Sequence, residues 1–148
     1  MTAVFVDTQI LLNSEDSADP ARQAKALAWL GELWKRRCGR TSMQVLNEFY
    51  VSATRRARPP MPSEDARAEV RRYQRWTPWQ IDPVTVEFAW AVESRFGLVY
   101  RDALIVSAAR QLGCRLLLSE NLRHRQQIDS VQIINPFLIG PEVLDAAA

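Results

Sequence analysis

The chain has 148 residues and a mass of 16.9 kDa, a size that fits one compact domain over 1–148 with a core large enough to need no staples. A 47% hydrophobic, 24% charged composition excludes a disordered tail, and a net charge of +2 excludes a protein that coats nucleic acid by charge alone. Two cysteines, Cys38 and Cys114, cannot form a disulfide framework; they read as reduced, structural thiols of a cytoplasmic protein. The opening MTAVFVDTQILL lacks a basic flank and carries Asp7 in its middle, so no signal peptide is expected, and no apolar run is long enough for a membrane span.

In chain order, residues 3–6 (AVFV) form a short apolar run of the kind that makes a fully buried strand, and Asp7 follows directly. A helix is expected from Pro20 to about Arg37, with Leu27, Leu30 and Trp34 at helical spacing and Gly39 closing it. A second is expected from about Gln44 to Arg56, where Val45, Leu46, Phe49 and Ala53 share one arc and Glu48 lies at its border. The run Arg58-Pro59-Pro60-Met61-Pro62 must interrupt helix. Ser63 is expected to cap a third helix, with Glu64 and Asp65 in its first turn.

Asp82-Pro83 opens a further helix as cap and first residue, with Val84, Phe88, Val92 and Phe96 as its apolar stripe and Gly97 at its end. Asp102 begins another, DALIVSAARQLG, ended by Gly113. Residues 115–118 (RLLL) and 131–134 (VQII) are strand candidates, Asn135-Pro136 stops the second, and the tail Ala146–Ala148 is expected to fray. Strands alternating with helices imply an α/β fold with a central parallel sheet and helices on both faces.

Ligands of such a sheet bind beyond the carboxyl ends of its strands. Asp7, Asp102 and Ser119-Glu120-Asn121 are expected there, and Glu48 adds a helical carboxylate. Converging acids repel one another more strongly as water is excluded, and a divalent cation relieves that repulsion. Oxygen ligands suit Mg²⁺ or Mn²⁺. Taken singly, each acid has an ordinary role: Asp7 or Asp102 as a turn former or helix cap, Glu48 as the partner of an arginine such as Arg55. An arginine bridged to Asp7 or Asp102 would mean occlusion of the crevice. His124, the only histidine, reads as hydrogen-bonded or solvent-exposed filler, and no phosphate-binding glycine loop, GxSxG or CxxC is present.

Seventeen of the nineteen basic residues are Arg. Residues 51–80 hold seven of them against three acids, a net +4 that is either a solvated face or a phosphate-binding one. The five tryptophans (29, 34, 76, 79, 90) read mostly as core or interface filler.

Four pieces in order, VFVDTQILL, TSMQVLNEFYVSATRR, FGLVYRDALIVSAARQLGCRLLLSENL and VQIINPF, span nearly the whole chain. Together they resemble the PIN domain, in particular the VapC-like ribonuclease toxins of bacterial toxin–antitoxin pairs. The resemblance implies a three-layer PIN-like fold and a metal-dependent endoribonuclease. Asp7, Glu48 and Asp102 would hold Mg²⁺ or Mn²⁺ against an RNA phosphate, and products would carry 5′-phosphates. Asn121 stands where the family pattern has a fourth acid; it keeps a neutral oxygen but loses the charge. Glu120 is a possible substitute. His124-Arg125 replaces a glycine common in that loop.

Arg55, Arg56, Arg58 and Ser119 are candidates for RNA contact. The resemblance also implies a homodimer and an antitoxin that inserts an amphipathic segment, with an Arg reaching the acids. The alternative reading is a catalytically weakened module that binds RNA or an antitoxin without cleavage.

Overall fold

The computed structural model describes residues 2–146. Five strands, β1 (Val4–Val6), β2 (Gly39–Arg40), β3 (Leu116–Leu118), β4 (Gln127–Ile128) and β5 (Val131–Ile134), form one sheet in the order β2-β1-β3-β5-β4. All neighbours are parallel except β4, which pairs antiparallel with β5. Every residue of β1 and β3 is buried. Side chains alternate between faces along a strand, so both faces of these central strands are covered. The α/β reading with a central parallel sheet therefore holds, and β4 is an added antiparallel edge.

Among the described residues there are seven α-helices: α1 (Thr8–Ser14), α2 (Pro20–Arg36), α3 (Met43–Val51), α4 (Ser63–Tyr73), α5 (Pro83–Phe96), α6 (Tyr100–Gln111) and α7 (Val143–Ala146). Ala146 is thus the last residue of a helix rather than part of a frayed tail, and residues 147–148 lie outside the described residues.

Several boundaries differ from the sequence reading for identifiable reasons. Helix α2 ends on Arg37, which takes the left-handed conformation (φ 56°) expected of Gly39. Gly39 opens β2 instead, where a Cβ would fall on the ring of Trp76. That ring packs with Trp34 and Tyr73, at centroid distances of 5.0 and 4.9 Å. Helix α3 begins under a Ser42 cap, and a π-helical turn (Ser52–Arg56) completes the segment expected as one helix to Arg56. Pro62, not Ser63, precedes the first turn of α4, and no side chain caps it.

Asp82 caps α5 by accepting from the Thr85 N–H at 2.8 Å, and Gly97 ends it at φ 64°. The buried face of α5 is Thr85, Ala89 and Val92; Val84, expected in the apolar stripe, is 60% exposed. Helix α6 starts at Tyr100, two residues before Asp102, so Asp102 sits inside the first turn and not at the cap. Cys38 and Cys114 are free and buried, as expected of structural thiols. No helix of the described residues is long and apolar enough to cross a membrane.

Candidate active site

Strand β1 lies between β2 and β3, so the chain leaves its carboxyl end toward one neighbour and later returns on the other side. Crevices form at such a switch point. Asp7 stands there. Its backbone N–H donates to Leu118 O of β3 at 3.1 Å, and its carboxylate accepts from the Thr8 N–H at 2.7 Å as the cap of α1. The ordinary role of a helix cap and the role of site acid coincide in this residue. Its side chain is 3% exposed.

Glu48 reaches the same place from α3. The Thr8 hydroxyl donates to its Oε2 at 3.0 Å, and Gln44, one turn earlier, donates to Oε1 at 3.3 Å. Asp102 arrives from the first turn of α6. The three carboxylates named from sequence are therefore brought together, although residues 7, 48 and 102 lie far apart in the chain.

What joins them is Arg101. Its Nη2 and Nη1 donate to Asp7 Oδ1 and Oδ2 at 2.7 and 3.1 Å; its Nε donates to Glu48 Oε2 and Oε1 at 3.0 and 3.2 Å. Nη1 also donates to Asp102 Oδ1 at 3.0 Å, and Nη2 to the Thr8 hydroxyl at 3.0 Å and to Glu48 Oε2. Burial disfavours the charge on Arg101, but its bonds to Asp7 and Glu48 outweigh that penalty and raise its pKa above the ordinary arginine value. The guanidinium stays charged.

No motif or spacing in the sequence marks Arg101 as a site residue. The available signal was its position: a basic residue adjoining a site acid in the first turn of a helix aimed at the crevice. Glu48 is paired as its ordinary role suggests, but with Arg101 rather than Arg55.

The donor set consists of carboxylate and hydroxyl oxygens and fits a hard divalent cation chemically. Its shape fits a guanidinium. No group of three His, Cys, Asp or Glu side chains among the described residues closes on a point that could hold an ion. The oxygens stand apart around a planar, forked cation, and a metal at their centre requires Arg101 to be elsewhere.

The loop after β3 departs from expectation. Ser119 is 1% exposed and its hydroxyl accepts from the Asn121 N–H at 3.2 Å, so it shapes the turn and offers no surface for RNA. The Asn121 side chain is exposed and makes no hydrogen bond to Asp7, Glu48 or Asp102. Glu120 is held by Arg22, which also bonds Asn13 at 3.2 Å and stacks on Phe137, so it does not replace a fourth site acid. His124 Nδ1 accepts from the Asn135 N–H at 2.9 Å, the filler role expected of it.

Arg55, Arg56 and Arg58 are exposed, and among the described residues none has a carboxylate within salt-bridge distance. Arg56 lines a cleft of about 490 Å³ together with Glu48 and Arg101, and with Arg58 it lines a groove of about 740 Å³ beside it. Free cationic side chains thus flank the carboxylates. A larger cavity of about 970 Å³, at Trp76 and Trp79 on the sheet edge, includes none of the three acids.

Residues 4–128 match the family model of the PIN domain. Among solved structures, the chain is similar to one in a toxin-antitoxin complex from Klebsiella pneumoniae, at 19% identity and a TM-score of 0.62, covering 91% of this chain and 98% of that one. It is also similar to a chain of VapBC2 from Rickettsia felis bound to a DNA fragment from their promoter, at 14% identity and a TM-score of 0.57, covering 89% and 97%. At these identities the likeness is one of fold. No match to a curated protein reaches significance.

Proposed function

The chain belongs to the PIN domain family, and we propose on that footing that it is a metal-dependent endoribonuclease, the VapC-like toxin of a type II toxin–antitoxin pair. The observation that carries this reading is the convergence of Asp7, Glu48 and Asp102, from three separate elements, on one guanidinium at the carboxyl end of the sheet. Three carboxylates in one crevice need a cation, and a nuclease supplies the reason to keep them there.

Asp7, Glu48 and Asp102 are the residues that would hold Mg²⁺ or Mn²⁺, which when bound supplies an activated water and positive charge at the phosphate. Thr8 orients the centre, since its backbone N–H fixes Asp7 and its hydroxyl fixes Glu48. Arg56 and Arg58 hold the RNA backbone in the adjoining groove, with Arg55 on the same turn. Asn121 is itself exposed in the loop after β3, where it is available to a phosphate oxygen. The partners are an RNA substrate, a cognate antitoxin and a second copy of the chain in a homodimer; a sizing measurement that gives a strict monomer at micromolar concentration removes the last.

The occupancy of the centre by Arg101 favours a second reading, a weakened module that binds RNA or an antitoxin without cutting. Purified protein incubated with structured RNA and Mg²⁺ or Mn²⁺ separates the two. Cleavage to 5′-phosphate products, lost in Asp7→Asn and in Asp102→Asn, supports the nuclease; intact RNA with retained binding supports the module.

A further inference from the structure

Arg101 uses its whole donor set on the carboxylate centre. Nε, Nη1 and Nη2 together reach five carboxylate oxygens of Asp7, Glu48 and Asp102, and the Thr8 hydroxyl takes a further bond. Five N–H groups in a fixed fork are all that an arginine has. The side chain is therefore not resting near the acids; it fills their centre.

The charge balance is nevertheless incomplete. Three carboxylates and one guanidinium leave a local formal charge of −2, and the free cations nearby, such as Arg56, make no ion pair with the three. A divalent ion at the same place neutralises more of that charge than Arg101 does. The two cations seek the same oxygens and cannot hold them together.

Geometry gives Arg101 somewhere to go. Asp7 forms the floor at 3% exposure, whereas Arg101 is 30% exposed and stands at the mouth. The cleft of about 490 Å³ that it lines with Glu48 and Arg56 opens directly beside it. Arg101 is a long side chain on the first turn of α6, with staggered torsions of its own about which to turn toward that cleft.

Resting on the nuclease reading above, we propose that Arg101 is a resident competitor for the divalent cation: its guanidinium and the metal exclude each other at Asp7, Glu48 and Asp102, so that the free protein is held in a metal-poor state. Competition is reciprocal by linkage, so each cation weakens the other by the same factor.

The test is Mn²⁺ titration of the full chain, read by the electron paramagnetic resonance of free Mn²⁺, with wild type beside Arg101→Gln. Circular dichroism verifies folding. Arg101→Gln is expected to bind Mn²⁺ at least tenfold more tightly, and Mn²⁺ is expected to raise its melting temperature more than that of wild type. If the Gln form does not fold, Arg101→Lys takes its place, since a single ammonium cannot fork two carboxylates; tightening of severalfold is then expected.

Equal affinity in wild type and variant, or no Mn²⁺ binding by either at millimolar concentration, overturns the competition. The nuclease reading fails separately. Tight Mn²⁺ binding by Arg101→Gln with RNA left intact by both proteins upholds the competition and removes the nuclease, whereas metal-dependent cutting with equal affinities does the reverse.

Discussion

Arg101 forks across both oxygens of Asp7, at 2.7 Å from Nη2 to Oδ1 and 3.1 Å from Nη1 to Oδ2. This bidentate pair ties the first turn of α6 to the end of β1 across 94 positions of sequence. It places a fixed positive charge against the most buried carboxylate of the crevice. Charge-assisted bonds of this fork geometry are among the stronger polar contacts in proteins.

Truncation of Arg101 leaves the Asp7 carboxylate buried without its countercharge. Breaking a fully buried pair costs about 3–5 kcal/mol; Arg101 and Glu48 keep roughly a third of their side chains exposed, which brings the expected loss for Arg101→Ala down to about 2–3 kcal/mol. Urea unfolding should show a lower midpoint at an unchanged slope. Asp7→Asn made in the Arg101→Ala background should recover part of the loss, because it removes the stranded charge; full additivity of the two substitutions would contradict the pairing.

Arg56 is exposed, bonds no carboxylate and lines both the cleft at Glu48 and the groove beyond it. Arg56→Ala should leave unfolding within about 0.5 kcal/mol of wild type. It should weaken RNA binding at every sequence and reduce the slope of log affinity against log salt by about 0.7–1, the loss of one phosphate contact. Fluorescence anisotropy over a range of salt concentrations measures both quantities. An unchanged slope would remove Arg56 from the RNA surface.

Burial pushes the Cys114 thiol up to about 12 from an ordinary 9.0, and burial raises Cys38 and Tyr73 as well. A group whose folded pKa is raised contributes stability that is complete below its unfolded pKa and is lost as pH rises toward the folded value. Stability should therefore fall between about pH 9 and 12, by about 1–1.5 kcal/mol at pH 10 from Cys114 alone. Urea midpoints at pH 8 and pH 10 measure the loss, and Cys114→Ala should flatten it. The native protein at pH 8 should also resist thiol reagents at both cysteines, with both reacting on unfolding.

Gly39 allows the Trp76 ring to lie directly on the backbone of edge strand β2. Gly39→Ala places a methyl group within that ring and forces apart the Trp34–Tyr73–Trp76 cluster. Overpacking of this kind costs about 1–3 kcal/mol. Thermal unfolding should register the loss, together with a change in tryptophan emission. Wild-type stability in the variant would mean that the cluster does not depend on close approach at Gly39.

Local pattern made much of the architecture legible. The runs at residues 4–6 and 116–118 are wholly apolar and the one at 131–134 is apolar but for Gln132; short runs of this kind between breakers suit a buried sheet, and all three are strands. Asp82-Pro83 and Gly97 bounded α5 because cap chemistry acts within one turn. Where competing local choices existed, tertiary contact decided. Arg37 accepted the left-handed turn that a glycine takes more cheaply, since Gly39 was needed under Trp76. Short α1 and two-residue β4 carried too few residues for a periodicity to be seen.

The sequence by itself determined the α/β alternation, and its spacing offered Asp7, Glu48, Asp102 and Glu120 as acids at strand ends or helix-core borders, of which the resemblance to the PIN domain singled out the first three. Only the tertiary structure decided which cation those acids surround. Arg101 meets Asp7 and Glu48 across 94 and 53 positions, and its nearest acid in sequence, Asp102, is only one of three partners. Ion pairing depends on distance in space and on the solvent left around the charges. Those are fixed by how α3, α6 and the end of β1 pack together, and no periodicity within any one of them records it.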